Sequence, residues 1–215
     1  VLIKPNFGVA APPETGIITD PGVIDVVIEI CKEADPGSII VAESSVVGFD
    51  TTKIFKELGL EKRYPPLGAA LVDLDHDDTL EVPVSNGSVF NKIKLFKTAY
   101  ESDVVISVPT MKTHILTQVT LGLKNMKGIL PDSMKKRMHR IGAKKNVLNF
   151  ELDHAIADLN SIKPPTFTII DGFVANEGYK PGTPGIGGTP VDFNTTVAGS
   201  DPVAVDTIGA YLMGF

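Results

Sequence analysis

Directly behind the apolar run DVVISVP at 103–109, the stretch KTHILTQVTLGLKNMKG, residues 112–128, gathers Lys112, His114, Lys124, Asn125 and Lys127. Lysine is a point-charge partner for phosphate or carboxylate, and a desolvated lysine is a nucleophile toward carbonyls. His114, ten residues before Lys124, has the side chain suited to proton exchange near neutral pH. Gly122 and Gly128 flank the cluster and allow backbone to approach a ligand closely. Asparagine and glycine weaken a helix that has no other need of them, which favours a site here over a solvated loop and helix.

Further candidates stand at the ends of other apolar runs. Lys4 and Asn6 follow VLI, Glu43, Ser44 and Ser45 stand at the end of SIIVAES and just after it, and Asp171 ends TFTIID with Asn176 and Glu177 following. Turn and cap chemistry accounts for each of these taken singly. Together they put polar groups beyond four strand ends, which is where open α/β sheets bind ligands. The site expected from the residues is one pocket for an anionic small molecule or cofactor. His114, Lys124 and Glu43 are its candidates for chemistry, with Asp171 a second candidate carboxylate. Lys4, Asn6, Ser44, Ser45, Lys112, Asn125, Lys127, Asp171 and Glu177 are candidates for holding the ligand.

The elements that must position these residues are legible in outline. Short β-branched runs at 1–3, 38–44, 69–74, 103–109, 166–171 and 194–199 alternate with stretches of helical period. That is the pattern of an α/β fold on a mixed, mainly parallel sheet with helices on both faces. Asp20 before Pro21 and Asp201 before Pro202 read as helix caps with proline at the first turn. Asp50 opens another helix that Gly59 stops, and Leu152, Ala155, Ile156 and Leu159 mark a fourth. Residues 60–98 hold turns, an acidic DLDHDD and candidate antiparallel strands, read as a small β-rich insertion in a single 1–215 domain. The stretch 177–190 reads as a long loop, a length that is usually functional or mobile.

Composition narrows the class. With 43% hydrophobic and 21% charged residues the chain is an ordinary globular protein. It has neither a bilayer-length apolar run nor a signal-peptide pattern, so a cytoplasmic location without membrane insertion is expected. Opening on VLIKPN and stopping on AYLMGF in mid-pattern, it reads as part of a longer protein. The single cysteine, Cys31, sits at helical spacing among apolar residues and excludes an internal disulfide or a four-cysteine cluster within the chain. No GxSxG elbow, Walker loop or GxGxxG fingerprint is present, which argues against a serine triad and standard nucleotide sites.

Charge is unevenly spread. Residues 124–145 carry 8 Lys/Arg against one acid, Asp132, a local +7 on a chain of net −6. A basic island of this kind suggests an anionic partner. A rival reading is therefore a docking or scaffold domain that uses Lys135, Lys136, Arg137 and Arg140 as exposed charges. Few aromatics accompany the island, which argues against stacking on single-stranded nucleic acid.

The ordered segments KPNF, TDP, AESS, DVVISVPTMKTH, VTLGLKNMKG, IIDGFVANEG and SDPVAVD resemble the prokaryotic family called domain of unknown function 362, through essentially the whole chain. That resemblance implies a redox setting, because members are often joined to a ferredoxin-like segment with [4Fe–4S] clusters, which here would lie outside the chain. The run from DVVISVP through His114, Lys124 and His139 is also similar in order and spacing to a segment of the lactate-racemase-type nickel-pincer enzymes. On that likeness Lys124 would bear or contact a cofactor, His139 would ligate metal and His114 would exchange protons. AESS, however, offers Glu43 and serines where those enzymes supply another histidine.

Overall fold

The computed structural model describes residues 1–141, 151–178 and 188–215. Its main sheet begins with β1 (Leu2–Pro5), β2 (Ile40–Glu43) and β3 (Ala70–Asp73), all parallel. After the antiparallel pair β4 (Thr79–Pro83) and β5 (Lys92–Phe96), the chain returns to the other side of β1 with β6 (Val105–Val108). Then follow β7 (Thr110–His114), β8 (Gln118–Thr120), β9 (Phe167–Glu177) and β10 (Thr189–Gly199). The order across the sheet is β3-β2-β1-β6-β9-β7-β8, with β10 along β9. Within this sheet, among the described residues, only β8 and β10 run antiparallel to their neighbours. The chain is thus α/β with a mixed, mostly parallel sheet.

Both faces of the strands are covered, as alternation requires. Leu2 and Ala42 point into one apolar cluster, and Ile3 and Val41 into another. The second cluster is closed by helix α1 (Pro21–Glu33) through Ile24, Val27 and Ile28, and by α2 (Thr51–Glu57) and α3 (Leu60–Arg63). The first is closed by the β4–β5 pair, by α4 (Lys97–Glu101), and by α5 (Gly122–Asn125), α6 (Asp132–Arg140) and α7 (Leu152–Ile162). A last helix, α8 (Pro202–Leu212), packs on β9 and β10. The Asp20, Asp50 and Asp201 carboxylates each accept backbone N–H bonds at the starts of α1, α2 and α8.

Three expectations change. The β-rich insertion narrows to 79–96, because β3 joins the main sheet while β4 and β5 pair only with each other. Lys112 and His114 lie on strand β7, not in a loop, because β6 passes through Pro109 into β7 and both segments pair with β9. Asp171, Asn176 and Glu177 fall inside β9 instead of beyond it, since β10 supplies a ladder that carries the strand on to Glu177. The middle of the 177–190 loop and the end of the 124–145 basic run lie outside the described residues.

Candidate active site

β1 is the point where the strand order reverses, with β2 on one side and β6 on the other. Ligands in open α/β sheets bind at this crevice. A cavity of about 360 Å³ opens there, lined from β1, from the residues after β2, from the β7–β8 hairpin and from the segment 124–139.

Its floor is a buried clasp. Lys4, 1% exposed, donates to Glu43 Oε2 at 2.8 Å, to Asn125 Oδ1 at 3.2 Å and to the Pro5 carbonyl at 2.6 Å. Glu43 Oε2 also accepts from the Phe7 N–H at 3.0 Å, and Oε1 from the Ser44 N–H at 3.0 Å. Three donors thus occupy the Glu43 oxygens and make the residue the partner of Lys4. Asn125 returns two bonds through Nδ2, to the Lys4 carbonyl at 2.9 Å and Ser107 Oγ at 3.0 Å. Burial pulls the Lys4 ammonium below its ordinary range, and Glu43 opposes that pull. A Cβ on Gly128 would collide with Glu43 Oε1 and Lys4 Cε, so glycine here is a matter of space.

The walls are different. Strand alternation puts Lys112 and His114 on one face of β7, and Thr120, paired with Lys112 across the hairpin, joins them. Lys112 Nζ donates to the Ile17 carbonyl at 2.8 Å. His114 Nδ1 accepts from the Leu116 N–H at 3.1 Å and the Thr117 N–H at 3.3 Å. Those amides can only donate, so the ring is the neutral tautomer with its proton on Nε2. Burial, with the Lys124 and Lys127 charges, pushes its pKa far below the ordinary histidine range. Lys124 Nζ has Thr120 Oγ1 at 3.1 Å, and among the described residues no carboxylate pairs with it. Desolvation and the neighbouring Lys127 and Lys112 push it well below the usual lysine range. Lys127 Nζ stands 2.6 Å from His139 Nε2. Burial first, then the Lys127 and Lys124 charges, lowers His139 to about 4, so its ring nitrogen accepts from Lys127.

α5, a helix of only four residues, is held from outside. Asp206 on α8 accepts the Gly122 and Leu123 N–H groups at 2.7 and 2.9 Å, capping the helix that presents Lys124 and Asn125.

The cavity therefore brings together Lys4, Asn6, Glu43, Ser44, Ser45, Lys112, His114, Lys124, Asn125, Lys127 and His139. Asp171 and Glu177 stand apart from it. Asp171 Oδ2 accepts the Asp20 N–H at 2.8 Å and fastens the start of α1 to the sheet, while Glu177 is exposed at the end of β9. Lys135 belongs to the cavity and not to an exposed basic face. It is 5% exposed and donates to Ser44 Oγ at 2.5 Å and the Ser45 carbonyl at 2.6 Å. Met134 and Met138, the buried pair of α6, flank it. That one-turn spacing is the sequence signal that places Lys135 inward.

The family model of a domain of unknown function (DUF362) matches residues 1–211. The chain belongs to that family. A curated relative, the thylakoid-associated protein sll1697 of Synechocystis sp., is 28% identical over 217 residues, covering 97% of this chain. The match spans 61% of that relative's own length. Among solved structures, the lactate racemase apoprotein from Thermoanaerobacterium thermosaccharolyticum superposes with a TM-score of 0.56 at 15% identity. The match covers 95% of this chain and 46% of that one, and it shows a shared fold. Among the described residues no helix is long and apolar enough to cross a membrane.

Proposed function

We propose that this DUF362 chain binds a small anionic molecule in the cavity at its strand switch point, and that Lys112, Lys124 and Lys127 are the groups that hold it. One observation carries the reading: five lysines line the cavity, with Glu43 the one carboxylate among its described lining residues, and that carboxylate is spent on Lys4. Ammonium groups left without a counter-charge in a partly buried cavity favour any ligand that brings negative charge. The iron–sulfur setting and a cytoplasmic location belong to the same proposal. With Cys31 the single cysteine, a cluster would be held by a partner module.

The test is calorimetric titration with oxalate and with pyrophosphate at two salt concentrations. Binding should be lost in Lys124→Ala and Lys112→Ala and kept in Lys136→Ala and Arg140→Ala. The opposite pattern, with a steep salt dependence, would replace the pocket by the docking surface of the basic run.

A second reading is a distant relative of the nickel-pincer racemases, favoured by the meeting of His114, Lys124 and His139 on one cavity. The donor set does not fit a metal. Among the described residues no group of three His, Cys, Asp or Glu converges, and His139 Nε2 already accepts from Lys127. The likeness that remains is one of fold.

A further inference from the structure

The lysines of the cavity differ in what they touch. Lys4 has Glu43, Lys135 has carbonyls and a serine hydroxyl with Asp132 at 3.9 Å, Lys112 has a carbonyl, and Lys127 has an imidazole. Lys124 has a neutral hydroxyl, Thr120 Oγ1, that can donate to a free amine as readily as accept from an ammonium. It shares the wall of an open cavity with two other cations, Lys127 and Lys112, close enough to act on its charge. The same cavity is lined by a histidine whose Nδ1 is occupied by its own hairpin, which leaves Nε2–H to donate. Such an arrangement asks for a substrate with a carbonyl beside a carboxylate.

We propose that Lys124 forms a Schiff base with a small 2-oxo acid, Lys112 and Lys127 holding the carboxylate and His114 Nε2–H donating to the ketone oxygen. The inference rests on the anion-site reading above and adds a covalent step to it. The Lys124 lone pair forms the N–C bond, and the C=O π pair moves to oxygen, which takes up an amine proton by way of solvent. The resulting hydroxyl then leaves as water with a second proton from solvent, while the nitrogen lone pair closes the C=N bond. Amine, ketone and one proton thus become iminium and water, with nothing oxidised or reduced. A lysine among other cations, poor in carboxylates, is the environment in which an amine keeps its lone pair at neutral pH. The lowered affinity of Lys124 for its proton agrees with that geometry.

The experiment incubates the purified chain with pyruvate, reduces with sodium borohydride and reads intact mass and peptide map, with oxalate titrated in parallel. One reduced adduct per chain, mapped to Lys124, is the expected result. It should be lost in Lys124→Arg, a variant that keeps a long basic side chain but has no nucleophilic amine, and blocked in the wild-type protein by excess oxalate. Peptide mapping of the wild-type chain locates the adduct even if the variant folds poorly. Oxalate binding with no adduct, or adducts scattered over surface lysines and unchanged by Lys124→Arg, overturns the covalent step and leaves the anion site standing. Failure of both oxalate and pyruvate to bind overturns both readings.

Discussion

Lys4 and Lys124 line the same cavity, and the fold treats them in opposite ways. Lys4 is held by a carboxylate, an amide oxygen and a carbonyl at the end of β1. Lys124 hangs from a four-residue helix with one hydroxyl for company. Lys4 is buried outright and Lys124 is half-buried on the open side of the cavity, and what separates them further is the counter-charge. A buried cation with its partner in place is architecture, whereas one without a counter-charge is available for a ligand.

The clasp can be broken at Glu43. Glu43→Ala leaves Lys4 as an uncompensated buried charge and strips acceptors from the Phe7 and Ser44 N–H groups, a loss of about 3–5 kcal/mol. Urea unfolding followed by circular dichroism should show the drop in midpoint. If the clasp is architectural, Lys4→Met combined with Glu43→Leu should recover part of the loss, since a well-packed apolar pair replaces the ions without an orphaned charge. A single variant no less stable than the wild type would erase the contrast between the two lysines.

Gly128 tests the same floor by volume. Gly128→Ala drives a methyl into Glu43 Oε1 and the Lys4 stem, and overpacking of this kind costs roughly 1–3 kcal/mol. Because the clasp must shift to admit it, oxalate affinity should fall along with the denaturation midpoint.

Which features are legible in the sequence depends on which signals are local. Asp20–Pro21 and Asp201–Pro202 mark their helices because a cap and a first-turn proline act within a few residues. The meeting of Lys4 and Glu43 follows from strand ends, because they close neighbouring parallel strands whose carboxyl ends share one rim, whereas Lys124 reaches the cavity through α5. Asp171 escapes that logic because the length of β9 depends on β10, a partner distant in sequence. Strand β7 is hidden for the same reason, since its parallel partner β9 lies far along the chain, and His114 is paired by the hairpin strand β8. Lys135 looks like part of a solvated face because the high charge of 124–145 masks the Met134 and Met138 stripe. Asp206, which caps α5, gives no local signal, its partners lying more than eighty residues earlier in the chain.

At Lys124 the prediction reverses sign. Lys124→Met replaces a desolvated amine that no described carboxylate pairs with, so the urea midpoint should stay level or rise. Oxalate affinity should meanwhile fall roughly 10- to 100-fold, on about 1.5–3 kcal/mol for a hydrogen bond to a charged group. A variant that loses both stability and binding would make Lys124 a second Lys4.

The smallest effect is also the most discriminating, because stability and binding should move in opposite directions with pH. Burial lowers Lys112 and Lys127 from 10.5 to about 8 in the folded chain. Between about pH 8 and 10.5 the unfolded chain therefore binds more protons than the folded one, and unliganded stability from these two groups rises with pH across that window. The ammonium charges that hold an anion disappear over the same rise, so oxalate affinity should fall as pH passes about 8. Thermal melts with and without oxalate should converge above that point, the ligand-induced shift shrinking while the unliganded transition holds or climbs. A shift that persists undiminished to pH 10 would mean the anion is held by groups that keep their protons, Arg137 and Arg140 on the exposed face of α6, and would move the site from the cavity to the surface.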